Sequence, residues 1–141
     1  MAGPSPAAPD DPRVELILRV YSAASTEQLD EYLDTTHPDG VADWSRSRGP
    51  YKGVYRGRDE VVRFFAAVRE AWGEFEYFHD ELIDAGPDRI VRIGGIRARG
   101  RGSGIPIEAT GAQLFEFKDG LIWRVTLYQD RAEALAAAGL A

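Results

Sequence analysis

The chain has 141 residues, a net charge of −6, 44% hydrophobic residues and no cysteine. A single domain of this length buries roughly 70% of the surface that its unfolded chain exposes. The acidic balance argues against non-specific nucleic-acid binding, which needs a basic surface. The missing thiols exclude disulfides, thiolate metal sites and cysteine nucleophiles.

Residues 1–12, "MAGPSPAAPDDP", lack the basic start and apolar centre of a signal peptide and read as a disordered leader. No apolar run approaches the ~18 residues that a membrane span needs. A soluble cytoplasmic protein is the expectation. Val14, Ile17, Leu18 and Tyr21 then fall on one face of a first helix. Ser25 with Gln28 has the form of a capping box opening a second, with Leu29, Tyr32 and Leu33 as its buried stripe. Pro38 and Gly40 in "THPDG" end that helix. A short extended piece near residues 41–46 leads into a loop rich in Gly, Ser and Arg. The third helix, from about Arg58 to Trp72, carries Val61, Phe64, Phe65, Val68 and Trp72 on one face.

From Phe75 the period changes to two, which predicts strands over 75–84, 89–101, 106–118 and 121–129. The turns between them are "AGPD", "GSGIP" and "KDG". Asp130 with Glu133 opens a last short helix, and Gly139 stands where a C-terminal glycine belongs. Three helices followed by an antiparallel run of strands make an α+β domain over residues 13–141.

The element order, with "GVYRGRDEVVRFF", "ELIDAGPDRIVRIGGIRARGRGSG" and "FKDGLIWRVTLYQDRAEAL", resembles the NTF2-like superfamily. Its SnoaL-like and ketosteroid-isomerase-like branch is the nearest pattern, over residues 13–140. The resemblance implies a cone: a strongly curved sheet wrapped around three helices, a pocket at the wide end and often a homodimer. It also implies three site residues by position. Tyr21 matches a tyrosine of the first helix, and Asp43 matches an aspartate base on the short first strand. Gln113 stands where that branch has a proton-donating acid, so the chain departs from the isomerase pattern there.

Each residue has a functional and a structural reading. In an apolar pocket the Asp43 carboxyl would have a raised pKa and could accept a proton; bonded to amides or paired with an arginine, it would be scaffolding. The Tyr21 hydroxyl faces either a ligand or a core carbonyl. In "IEATGAQLFEF", alternation puts Gln113 on the face of Ile107, Ala109, Phe115 and Phe117, where its amide must find a partner. His79 shares a strand face with Phe75 and Tyr77 and reads as a titrating group or a rim residue. Trp44, Tyr55, Phe65, Trp72, Phe78, Phe115 and Trp123 divide between core and pocket lining. Position in the resemblance puts Arg97 on the concave side, free to hold an anion or pair with Asp43. The glycines of "RIVRIGGIRARGRGSG" make no phosphate loop, because a strand and not a helix follows.

Two distant histidines without cysteine argue against a transition-metal site, and nothing implies a cofactor, nucleotide or flavin. The expected partner is a small apolar ligand. Three functions stay open. One is cofactor-free acid–base work on a carbonyl compound, isomerase-like or polyketide-cyclase-like, with Asp43 moving the proton while Tyr21 and Gln113 steady the oxyanion. The second is a non-catalytic ligand-binding or dimerisation module. The third is a water-activating hydrolase using Arg97 or His79 beside Asp43.

Overall fold

The computed structural model describes residues 4–26, 29–48, 51–100 and 102–140; the side chains of residues 23–26, 29, 31–32, 69 and 71–74 lie outside the described set. Helix α1 (Pro12–Thr26) opens on a proline, whose missing N–H has no partner to lose in the first turn. Asp11 caps it, accepting the Arg13 backbone N–H at 2.9 Å. The Arg13 guanidinium bonds the Asp11 carboxylate and also donates to the carbonyls of Gly86 and Arg89, tying the helix start to a turn of the sheet. Val14, Ile17, Val20 and Tyr21 form the buried stripe. Leu18, expected on it, is 43% exposed, because the sheet contacts a face centred between Ile17 and Val20.

Helix α2 (Leu29–Thr35) is short. Its expected capping box and the side chains of Leu29 and Tyr32 lie outside the described residues, and Leu33 is exposed. Strand β1 (Thr36–Asp43) begins earlier than the extended piece expected from residue 41. It tolerates Pro38 because its pairing breaks register between Thr36 and Val41. After β2 (Val54–Arg56) comes α3 (Arg58–Ala71), which buries Val61 and Phe64.

The remaining strands are β3 (Trp72–Asp84), β4 (Arg89–Gly100), β5 (Pro106–Lys118) and β6 (Leu121–Tyr128). They form one six-stranded sheet in the order β2-β1-β6-β5-β4-β3, antiparallel except for the β1–β6 pair. The β5–β6 hairpin turns on Asp119 and Gly120, both at positive φ, the pattern of an Asp-Gly turn matched to strand twist. Helix α4 (Arg131–Ala137) is capped as expected: Asp130 accepts the Glu133 N–H, and Gly139 at φ 77° lets Leu140 bond back to Leu135.

The curved sheet has two faces with separate cores. Its concave face packs Ile90, Phe115, Phe117, Ile122 and Val125 against the α1 stripe. Its outer face packs Ile83, Val91, Ala112 and Leu114 under Ala134, Leu135 and Ala138. Part of the stretch read as a disordered leader runs along β3: Ala7 donates to Leu82 and Asp84 to Ser5. Its Pro-rich composition hides this, since two backbone bonds to a strand edge need no side-chain pattern.

Candidate functional site

Between α1, α3 and the concave sheet face lies a cavity of about 530 Å³. Tyr21 from α1 and Phe64, Phe65 and Val68 from α3 form one wall. The sheet supplies Tyr77, Ile96 and Leu127, and the loop after β1 adds Trp44, Ser47, Arg48 and Tyr51 near Tyr128 and Gln129. The wall is rich in aromatic rings: Tyr21 packs edge to face on Tyr77 at 4.7 Å and Phe64 on Phe65 at 5.0 Å, while Trp44 lies tilted against Phe64 at 5.0 Å. The loop is held over the cavity by Gln129, which donates to the Arg46 carbonyl, and by the Arg46 guanidinium over the Tyr128 ring.

The polar end is built around Arg92. Alternation along β4 turns it inward with Ile90 and Ile96, and it is 1% exposed. Its Nε donates to His79 Nδ1 at 2.8 Å, one amino group to Gln113 Oε1 at 2.5 Å, and the other to the Phe78 carbonyl at 2.8 Å. The guanidinium carbon lies 4.1 Å from the Tyr21 ring centre, a cation–π distance. Every one of these partners is neutral. Burying a charge this way costs several kcal/mol, which neutral acceptors repay only in part.

The glycine pair beside Arg92 makes room for it. A Cβ on Gly94 would overlap the Phe78 carbonyl oxygen and press on the Arg92 guanidinium, and one on Gly95 would overlap the Ala109 carbonyl. Gly94 and Gly95 therefore permit close strand approach at the point where the guanidinium meets β3.

The network sets protonation states. Arg92 can only donate, so His79 Nδ1 must accept, which leaves the ring proton on Nε2. Burial and then the Arg92 charge push the His79 pKa down to about 4, so the ring is neutral at pH 7. Burial raises the pKa of both Tyr21 and Tyr77, against the partial opposition of Arg92; both hydroxyls stay protonated.

Of the expected site residues, the cavity gathers Tyr21, Gln113, Trp44 and Phe65. Asp43 ends β1 off the cavity wall. Its Oδ1 accepts the Ser45 N–H at 3.0 Å and the Ser45 hydroxyl at 2.6 Å. Partial burial pushes its pKa up, but the Ser45 bonds and then the Arg46 and Arg124 charges outweigh that and hold it below the usual value. The expected upward shift is thus reversed, because a turn two residues on supplies donors within reach. Arg97 is not on the concave side. It has the opposite parity to Arg92, points outward, bonds Glu108 at 3.0 Å and stacks over Phe78, which also faces out. Phe115 and Trp123 border a separate void of about 20 Å³. Tyr55 packs on Phe64 away from the cavity and donates its hydroxyl to the Tyr51 carbonyl. His79 reaches the site through Arg92. The Trp72 side chain lies outside the described residues.

Arg92 was absent from the sequence expectations. Its signal is an arginine in phase with Ile90 and Ile96, an apolar-face position where a charge needs a reason.

The SnoaL-like domain profile matches residues 17–125 of the chain. No curated protein matches it. Among solved structures, TerC co-crystallised with polyporic acid is 21% identical, covering 92% of this chain and 98% of that one, with a TM-score of 0.71. An NTF2-like protein of unknown function from Burkholderia pseudomallei is 23% identical over 89% and 96% of the two chains, with a TM-score of 0.70. Rv0760c from Mycobacterium tuberculosis, in complex with estradiol-17beta-hemisuccinate, is 18% identical over 87% and 97%, with a TM-score of 0.71. The shared fold is NTF2-like. Among the described residues no helix is long and apolar enough to cross a membrane.

Proposed function

The chain belongs to the SnoaL-like domain family, and on that premise we propose that it binds a small, largely apolar ring compound in the cavity against Arg92 and Gln113. The cavity carries this reading. Its volume of about 530 Å³ and its mainly apolar, aromatic-rich wall with one polar end have the form of small-molecule sites. That two similar structures hold polyporic acid and estradiol-17beta-hemisuccinate supports it.

Arg92, the Gln113 amide and the Tyr21 hydroxyl offer hydrogen-bond donors at one end of the cavity. Such an end orients a ligand oxygen and would stabilise an enolate. Proton abstraction by Asp43 has less support, because a carboxylate bonded to Ser45 and held below its usual pKa is a weak base. Hydrolysis has less still: Arg97 faces the other way, and the His79 Nδ1 lone pair is occupied by Arg92. Binding, with the ligand's oxygen polarised, is the function we favour.

The test is calorimetric titration with polycyclic aromatic ketones and steroids, on wild type and on Leu127→Phe, which fills part of the cavity from β6. Saturable binding by wild type that weakens in a folded Leu127→Phe variant is expected. Binding that is unaffected by the larger side chain would place the ligand elsewhere and overturn the reading.

A further inference from the structure

We infer that the ligand is an anion: an aromatic or polycyclic organic acid, its ionised oxygen held between Arg92 and the Gln113 amide. This rests on the binding reading above and names its substrate class.

Among the described residues the cavity wall carries two arginines, Arg92 inside and Arg48 near the mouth, and no aspartate or glutamate. That is the reverse of the whole chain, whose net charge is −6. Acids are plentiful elsewhere: Arg13, Arg97 and Arg131 each pair with a carboxylate at 3.0 Å or less. Arg92 is the most buried arginine described, and it donates to an imidazole, an amide and the carbonyls of Phe78 and Gly95, with a phenol ring against its face. A buried cation among neutral acceptors is an arrangement that a carboxylate or enolate completes.

The geometry leaves a place for that group. Because Gln113 Oε1 accepts from Arg92, the amide's other half, two N–H donors on Nε2, turns toward Gly111 and the cavity. Gly111 keeps the space beside it open: a Cβ there would lie 3.7 Å from Gln113 Nε2 and 3.6 Å from Leu127 Cδ1, ordinary contacts that a methyl group could make. Tyr21 covers one face of the guanidinium, so an anion meets its edge beside the amide. The other titratable side chains at that end, Tyr21, Tyr77 and His79, are all neutral at pH 7 and add no negative charge. An apolar body then lies along Phe65, Val68, Ile96 and Leu127.

Matched probes of equal shape and different charge test this: 2-naphthoate against 2-naphthamide, and anthracene-2-carboxylate against its amide. Each is titrated by calorimetry into wild type, Gln113→Glu and Gly111→Ala. Gln113→Glu supplies the missing counter-ion at nearly unchanged volume, so it should keep or raise the Tm. Wild type is expected to bind each acid about tenfold or more tighter than its amide. That preference should vanish in Gln113→Glu and survive in Gly111→Ala, where both members weaken together. Arg92→Gln is the second variant should Gln113→Glu fail to fold, and it too should abolish the preference. Amides binding as tightly as acids would overturn the anion and leave the binding reading intact. An acid preference that persists without the Arg92 charge would also overturn it, placing the anion elsewhere. Failure of every acid and amide to bind would overturn the anion, and the ketone and steroid titration then decides the binding reading by itself.

Discussion

Arg92 and Arg97 lie five residues apart on β4, and the odd spacing turns them to opposite faces of one sheet. Arg97 keeps half its side chain in water, bonds Glu108 at 3.0 Å and lies 3.9 Å from Glu76. Arg92 is shut inside, with neutral partners and the Tyr21 ring. The outer arginine makes a screened surface pair that contributes little. The inner one is expensive to bury and is held by a network spanning three strands and α1. A charge maintained at such cost next to an apolar cavity is evidence of use, where a surface pair is not.

The largest expected effect comes from the space that makes the inner site possible. Gly94→Ala would force a Cβ into the Phe78 carbonyl, so β3 and β4 must part; we expect a loss of about 3 kcal/mol, read from the urea midpoint. A loss well under about 1 kcal/mol would show that the strands can relax, and would weaken the case for a built site.

Arg92→Met comes next. It leaves His79 Nδ1, Gln113 Oε1 and the Phe78 carbonyl without their donor, a loss partly offset by removing a buried charge, and a net cost of about 2 kcal/mol is expected. A more stable variant would mean that the network contributes less than the charge costs.

The third effect is a pH dependence. With a folded pKa of about 4 and an ordinary value of 6.5, His79 is protonated more readily in the unfolded chain. The folded state is therefore favoured above pH 6.5, loses stability as pH falls through that value, and has lost this contribution by about pH 4. The expected size is about 1 kcal/mol over that window for a half-buried ring. NMR titration of the imidazole in wild type and Arg92→Met checks it: the pKa should rise when the neighbouring charge is removed.

The smallest effect is at the outer residue. Arg97→Ala should change stability by no more than about 0.5 kcal/mol, with less difference still at high salt. A larger loss would make the two faces less different than their burial implies.

Much of this architecture was legible in the sequence. Period two from Phe75, the Asp-Gly turn at 119–120 and the caps of α4 are local signals, each set by residues a few positions apart. The start of β1 was not legible, because Pro38 is admitted by a register break with β6, a strand that begins only at Leu121. Of the site, Tyr21, Gln113, Trp44 and Phe65 could be placed near one cavity from helix phase, strand phase and resemblance. Asp43 and Arg97 show where that reasoning stops. The fate of Asp43 depends on Ser45 folding back as a donor, and that of Arg97 on its parity with the apolar residues of its own strand.

The sequence by itself determined the element types, the α+β order, the acidic balance and the absence of thiol chemistry. These follow from composition and from periodicities that act over one turn or one strand. Only the tertiary structure decided that Arg92 has neutral partners, that Gly94 and Gly95 let β3 and β5 close on it, and that Asp43 is a turn acceptor set off the cavity wall. Each of those depends on strand register and sheet curvature, which bring together groups that no short window of the chain contains.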